Sequence, residues 1–176
     1  MGHWDQLMGL TWVNQNIHHF GGDKDQVTIF GESAGSVSVS LLMVAPSLRG
    51  LFRGVIMDSG VFHGIGYHHQ TVKDAARISE KFLKDTGCDG FGPDFCLQGK
   101  TAEEIMEVFS ETPEIFWMPV PDYSFKADPL FPEEPSSLLT AVPPEIDVMI
   151  GTTKDEGILS LTGESSSNTL NTRLLT

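Results

Sequence analysis

The chain has 176 residues, 40% hydrophobic and 20% charged, which provides enough apolar side chain for the core of one soluble globular domain. Acidic residues number 24 against 11 basic ones, a formal net charge of -13, and no Lys/Arg cluster forms a basic patch, so a nucleic-acid partner is not expected. No run of about 18 apolar residues occurs, so no transmembrane helix is expected, and the opening Met1–Gln6 has neither the basic nor the apolar region of a signal peptide.

Residues 5–19 predict a helix, because Leu7, Leu10, Val13 and Ile17 recur at helical spacing and Gly21-Gly22-Asp23 follows as a stop. Val27-Thr28-Ile29-Phe30 is a short apolar, β-branched run between turn residues and reads as a buried strand. Gly31 to Gly35 is a tight turn, and residues 34–44 read as a helix ended before Pro46. Val55-Ile56-Met57 is a second buried strand, closed by Asp58-Ser59-Gly60. Strand, helix, strand in this order is a βαβ unit and implies a parallel sheet. Residues 71–86 predict an amphipathic helix that buries Val72, Ala75, Ala76, Ile78, Phe82 and Leu83, with Gly87 as its C-cap. Thr101 with Glu104 forms a capping-box pattern ahead of a helix over 102–109. Residues 112–144 are rich in proline and read as loop, with one helical turn near Ser136–Thr140. Ile146-Asp147-Val148-Met149-Ile150 is a third strand, stopped by Gly151. The fold class is therefore α/β, a mostly parallel sheet with flanking helices.

Gly31-Glu32-Ser33-Ala34-Gly35 matches G-x-S-x-G, the turn that presents a nucleophilic serine between a strand and a helix. Each position has a physical requirement. The serine sits on a bend sharp enough to strain its backbone. Side chains at Gly31 and Gly35 are expected to collide with the neighbouring strand and helix. The bend places Ser33 at a helix N-terminus, and the Ala34 N–H faces the oxygen that becomes an oxyanion when a carbonyl is attacked. The competing reading is a strand-to-helix turn with a capping serine; the flanking strand and helix favour the catalytic one. A serine nucleophile needs a base held by an acid, and on such folds the chain order is Ser, then Asp/Glu, then His. The loop after the third strand carries two candidates, Asp155 and Glu156, and spacing does not choose between them. His3, His18, His19, His63, His68 and His69 all precede Glu156, so none fills the base position in that order. None of the histidine pairs has metal-ligand spacing, and Cys88 and Cys96 form no C-x-x-C, so no metal site is expected. The two cysteines are equally well read as a small disulfide loop or as unrelated thiols.

The run from Asn16-Ile17 to Phe20-Gly21-Gly22-Asp23, followed by Val27 to Gly35, resembles type-B carboxylesterases and cholinesterases. Gly50-Leu51-Phe52-Arg53 before Asp58-Ser59-Gly60, Asp128 to Leu130-Phe131-Pro132, and Lys154-Asp155-Glu156-Gly157 resemble further family motifs in the family's order. The resemblance covers residues 4–160. It implies a partial α/β-hydrolase fold, with Ser33 as nucleophile, Glu156 rather than Asp155 as the triad acid, and Ala34 as an oxyanion-hole donor. It further implies Glu32 as a buried carboxylate behind the nucleophile and Ser59 in a hydrogen-bond network behind the triad. Cys88 and Cys96 fall where the family has a small disulfide, which points to a secreted or secretory-pathway protein. The implied reaction is hydrolysis of a small-molecule ester through an acyl-serine, with no metal or organic cofactor. The alternative within the family is an adhesion or binding relative that has lost catalysis, and retention of Ser33, Glu32 and Glu156 favours the enzyme. Family members are several times longer, and their glycine-rich oxyanion loop and catalytic histidine have no counterpart here. Residues 1–176 thus read as a fragment of one domain, with 163–176 a disordered or truncated end, inactive by itself. The aromatics Phe116, Trp117, Tyr123, Phe125 and Phe131 of the proline-rich segment read as gorge wall or as ordinary packing.

Overall fold

The computed structural model describes residues 1–62, 70–112, 117–123 and 126–156. His63, His68, His69, Phe116, Phe125 and the 163–176 end lie outside the described residues. The chain divides into two compact units, one from Met1–Met43, Leu48–Val61 and Val142–Thr176, the other from Val44–Ser47 and Phe62–Ala141.

The first unit holds the sheet. Helix α1, Gly2–Asn16, is followed by a 3-10 turn at Ile17–Phe20 that closes on Gly21 in the left-handed region. Its apolar positions Leu7, Leu10, Val13 and Ile17 are half-buried, as their spacing predicts. Strand β1, Thr28–Glu32, helix α2, Ala34–Val44, and strand β2, Gly54–Asp58, form the expected βαβ unit. Strand β3, Asp147–Gly151, adds to the other side of β2, giving a three-stranded parallel sheet in the order β1-β2-β3. Register aligns Glu32 with Asp58 and Asp58 with Gly151, so all three strands end at one level.

Successive side chains on a strand point to opposite faces. One face carries the row Gly31, Met57, Ile150 and the row Ile29, Val55, Val148. Val55 and Met57 are buried there, together with Val39, Leu41 and Leu42 from α2. The opposite face carries Phe30, Ile56 and Met149 in one row, and Phe30 is 80% and Met149 64% exposed. The expectation of buried strands therefore holds for β2 alone. β1 and β3 are the outer strands, and among the described residues nothing covers the Phe30–Ile56–Met149 row.

The second unit is helical. Thr71 caps α3, Val72–Asp85, by accepting the Asp74 N–H at 3.1 Å. The helix ends in a Schellman arrangement: Cys88 N–H donates to Leu83 O, and Gly87, with positive φ, donates to Lys84 O. Phe82 is its one fully buried residue and meets Trp117 edge-on at 5.4 Å, whereas Val72 and Ala76, expected inside, are exposed. A short helix α4, Pro93–Gln98, stands in a Gly/Pro/Asp-rich stretch to which the sequence assigns no element; Pro93 begins it, in the first-turn position where a missing N–H costs nothing. The Cys88 and Cys96 Cα atoms are 5.5 Å apart with the sulfurs at bonding distance, a pair compatible with a disulfide. Helix α5, Ala102–Glu111, starts with the predicted capping box between Thr101 and Glu104. In the proline-rich stretch, buried Asp122 accepts the N–H groups of Leu130 and Phe131 at 3.0 and 2.9 Å. Phe131 is accordingly core, and Tyr123 donates to Glu134 at 3.0 Å. The helical turn expected near Ser136–Thr140 is a 3-10 turn at Ser137–Ala141.

Candidate active site

Two serines leave the parallel strands in the left-handed backbone region that normally favours glycine: Ser33 after β1, with φ +53°, and Ser59 after β2, with φ +56°. Such conformations persist only where the surroundings over-determine them. The Ser33 N–H donates to Asp58 O at 3.0 Å, and its carbonyl accepts the Val37 N–H at 3.0 Å. The Ser59 N–H donates to Gly151 O at 2.9 Å. Each strand end is thus pinned to the next.

Glycine permits the bend at Ser33. A Cβ on Gly31 would lie 2.3 Å from the carbonyl carbon and oxygen of Gly35, a collision between backbones that no side-chain movement relieves. Gly35 does not share this requirement: a Cβ there would meet nothing within 4 Å. The expected need for glycine at both positions is corrected to Gly31 alone among the described residues. Sequence reading missed a second obligatory glycine, Gly60, whose Cβ would lie 2.6 Å from Ser33 O. Its only signal was the turn-like run Asp58-Ser59-Gly60.

Ser33 is exposed, and its hydroxyl has no hydrogen-bond partner among the described residues. Ala34 begins α2, where main-chain N–H groups lack acceptors within the helix. Glu32 ends β1 in register with Asp58 and is exposed. The expectation that it is buried is therefore corrected: it points to the face of the sheet that the described residues leave open.

In the acid loop after β3, the two carboxylates are placed differently. Glu156 Oε1 accepts the Ser59 hydroxyl at 2.5 Å and the Thr153 N–H at 2.7 Å. Those two bonds, the Ser59 hydroxyl first, hold the Glu156 carboxyl below the usual glutamate range. Both reach the same oxygen, and the Thr153 side chain adds a smaller contribution in the same direction. The Ser59 hydroxyl also lies 3.0 Å from Asp58 Oδ1, and with one proton to give, its shorter contact is to Glu156. Asp155 makes no such contact with the strand ends among the described residues. Asp58 and Thr153 are members of this cluster that sequence reading did not single out; only the fold brings them there.

The described histidines stand apart from these residues. His3 on α1 pairs with the Ser38 hydroxyl at 3.3 Å, and burial, followed by the N-terminal charge, holds its pKa below the usual value. The His18 and His19 rings lie 3.8 Å apart, tilted by 41°, on the exposed turn after α1. Among the described residues, no group of three His, Cys, Asp or Glu is placed to hold a metal ion, and no helix is long and apolar enough to cross a membrane.

The chain is similar to known esterases. The para-nitrobenzyl esterase of Bacillus subtilis (strain 168) is 34% identical over 174 residues, 94% of this chain and 33% of that protein. The human cocaine esterase is 46% identical over 110 residues, 61% of this chain and 19% of that protein. A crystal structure of a Geobacillus stearothermophilus carboxylesterase superposes with a TM-score of 0.79 at 34% identity, covering 94% of this chain and 33% of that one. The chain thus spans about a third or less of the length of these relatives. The sheet with its flanking helices is part of an α/β-hydrolase fold. With strained Ser33 between β1 and α2, a carboxylate loop after β3, and a match of residues 1–175 to the carboxylesterase family model, the chain belongs to the carboxylesterase family.

Proposed function

We propose that the whole protein hydrolyses small-molecule carboxylic esters, with Ser33 as nucleophile and Glu156 as the acid of a triad. The observation that carries this reading is the pair of left-handed serines at adjacent strand ends, one with an open hydroxyl and the other gripping a carboxylate. All six histidines precede Glu156, so the base is an imidazole from outside these 176 residues. That imidazole takes the proton of Ser33 Oγ as the oxygen attacks the ester carbonyl carbon. The Ala34 N–H supports the resulting oxyanion together with donors from elsewhere in the protein. The imidazolium then protonates the departing alcohol, leaving an acyl-Ser33 that water hydrolyses by the same route.

Ser59 and Thr153 tie down Oε1 of Glu156, and the carboxylate so fixed holds the imidazole in the right tautomer. A lowered pKa keeps the carboxyl ionised when the imidazolium forms beside it. Glu32, beside the nucleophile, adds a negative charge at the same strand ends.

The 176 residues alone lack the base and are inactive in this reading, although they carry Ser33 and Glu156. We further propose that Cys88 and Cys96 form the bridge in the mature protein and that the protein enters the secretory pathway. The test is turnover of p-nitrophenyl butyrate. Activity is expected from the whole protein and is lost in Ser33→Ala; turnover by the 176-residue chain that is lost in Ser33→Ala contradicts the need for an outside base.

A further inference from the structure

Ser36 is a residue that the triad chemistry does not use, yet it ties the nucleophile bend to the support of the acid. It lies one helical turn beyond Ser33, is fully buried, and donates its hydroxyl to the Gly60 carbonyl. A serine inside a helix more often bonds back to its own helix, as Ser40 does to Val37 O at 2.7 Å. Ser36 reaches across instead, to the residue that directly follows Ser59.

That site is where the two strained bends meet. Gly60 packs so closely on Ser33 that a Cβ would lie 2.6 Å from the Ser33 carbonyl oxygen. Ser59 carries the hydroxyl that holds Glu156. From Ser33 the path therefore runs along the first turn of α2 to Ser36, across to Gly60, back one residue to Ser59, and on to the carboxylate. The main-chain bonds of Ser33 to Asp58 and of Ser59 to Gly151 align neighbouring strands. Among the described residues, the Ser36 hydroxyl supplies the side-chain bond that joins α2 to the 59–60 bend.

We propose that Ser36 is a positioning residue for the ester-hydrolysing site: through Gly60 it holds the Ser59 bend, and with it Glu156, in fixed relation to the nucleophile bend at Ser33. The proposal rests on the roles given above to Ser33 and Glu156. A buried serine that only fills space would lower thermal stability when replaced and leave the chemistry of each folded molecule unchanged. A positioning serine changes the chemistry itself.

The test uses the whole protein, its Ser36→Ala, Ser36→Cys and Ser59→Ala variants, and the Ser36→Ala/Ser59→Ala double variant. Active sites are counted with a fluorophosphonate probe, and kcat and KM are measured with p-nitrophenyl butyrate. Ser36→Ala is expected to lower kcat by about tenfold to a hundredfold, the range for a slightly misplaced catalytic group, with KM little changed. Ser36→Cys, which keeps most of the volume but has only a weak S–H donor, is also expected to be slowed, and it stands in for the alanine variant if that fails to fold. The double variant is expected to be no slower than Ser59→Ala alone, because both changes act on one carboxylate. A wild-type kcat in either Ser36 variant, or losses that multiply in the double variant, overturns the proposal. A wild-type protein that neither takes up the probe on Ser33 nor turns over ester overturns the esterase reading itself, and is told apart because the unsubstituted protein fails.

Discussion

At the scale of single residues, the site is a set of hydrogen bonds made by groups whose backbone is under strain. Ser33 presents an open hydroxyl, Ser59 spends its proton on Glu156, and Thr153 supplies a main-chain N–H to the same oxygen. Two consequences can be measured. Ser33→Ala is expected to abolish turnover by the whole protein to within the residual that binding and oxyanion donors give, a loss of roughly 10⁴-fold or more. Ser59→Ala removes the first cause of the lowered Glu156 pKa, so the carboxyl should titrate at higher pH than in the unsubstituted protein. The sign follows from linkage. A carboxylate held below its unfolded value contributes stability above that value and loses it as pH falls through the folded value. Carbon-13 NMR of the Glu156 side chain reads this directly, and an unchanged titration in Ser59→Ala would count against the Ser59 contact.

At the scale of elements, the bend between β1 and α2 depends on close backbone approach more than on glycine as a type. Gly31→Ala drives a Cβ into the Gly35 carbonyl, and a cost of about 1–3 kcal/mol or more is expected for overpacking that the backbone cannot absorb. Gly35→Ala in the 176-residue chain meets open space inside a helix and is expected to cost nothing, or to stabilise α2 by up to about 1 kcal/mol. Thermal or urea unfolding of the two variants side by side checks the ranking; equal losses would contradict it. The two glycines look alike in the pentapeptide, and only the packing separates them. Caps were more legible. Thr101 and Glu104 are local in sequence and form the reciprocal pair that their spacing predicts, and Thr101→Ala is expected to remove about 1 kcal/mol from α5. Helix α4 was not legible, because its six residues are too few for periodicity and its flanking glycines and Pro93 also suit a loop.

At the scale of the whole molecule, the order of strands and helices was readable from alternating apolar runs and turn residues, and the parallel sheet followed from it. Burial was not readable. Val27-Thr28-Ile29-Phe30 is an apolar run that reads as a buried strand, yet Phe30 is exposed on β1. Hydrophobicity reports what a strand is suited to pack against, whereas burial depends on partners elsewhere in the fold. The chain covers about a third or less of the relatives it matches, and among the described residues nothing covers the Phe30–Ile56–Met149 row. The contact that sets Glu156 apart from Asp155 was likewise invisible to spacing, since it is made by a hydroxyl ninety-seven positions earlier in the chain. The most direct test of the central claim is peptide mapping of the whole protein by mass spectrometry after reaction with a fluorophosphonate. The adduct is expected on the peptide that contains Ser33 and nowhere in Ser33→Ala. An ester-hydrolysing protein that carries the adduct on another serine, or on none, would contradict it.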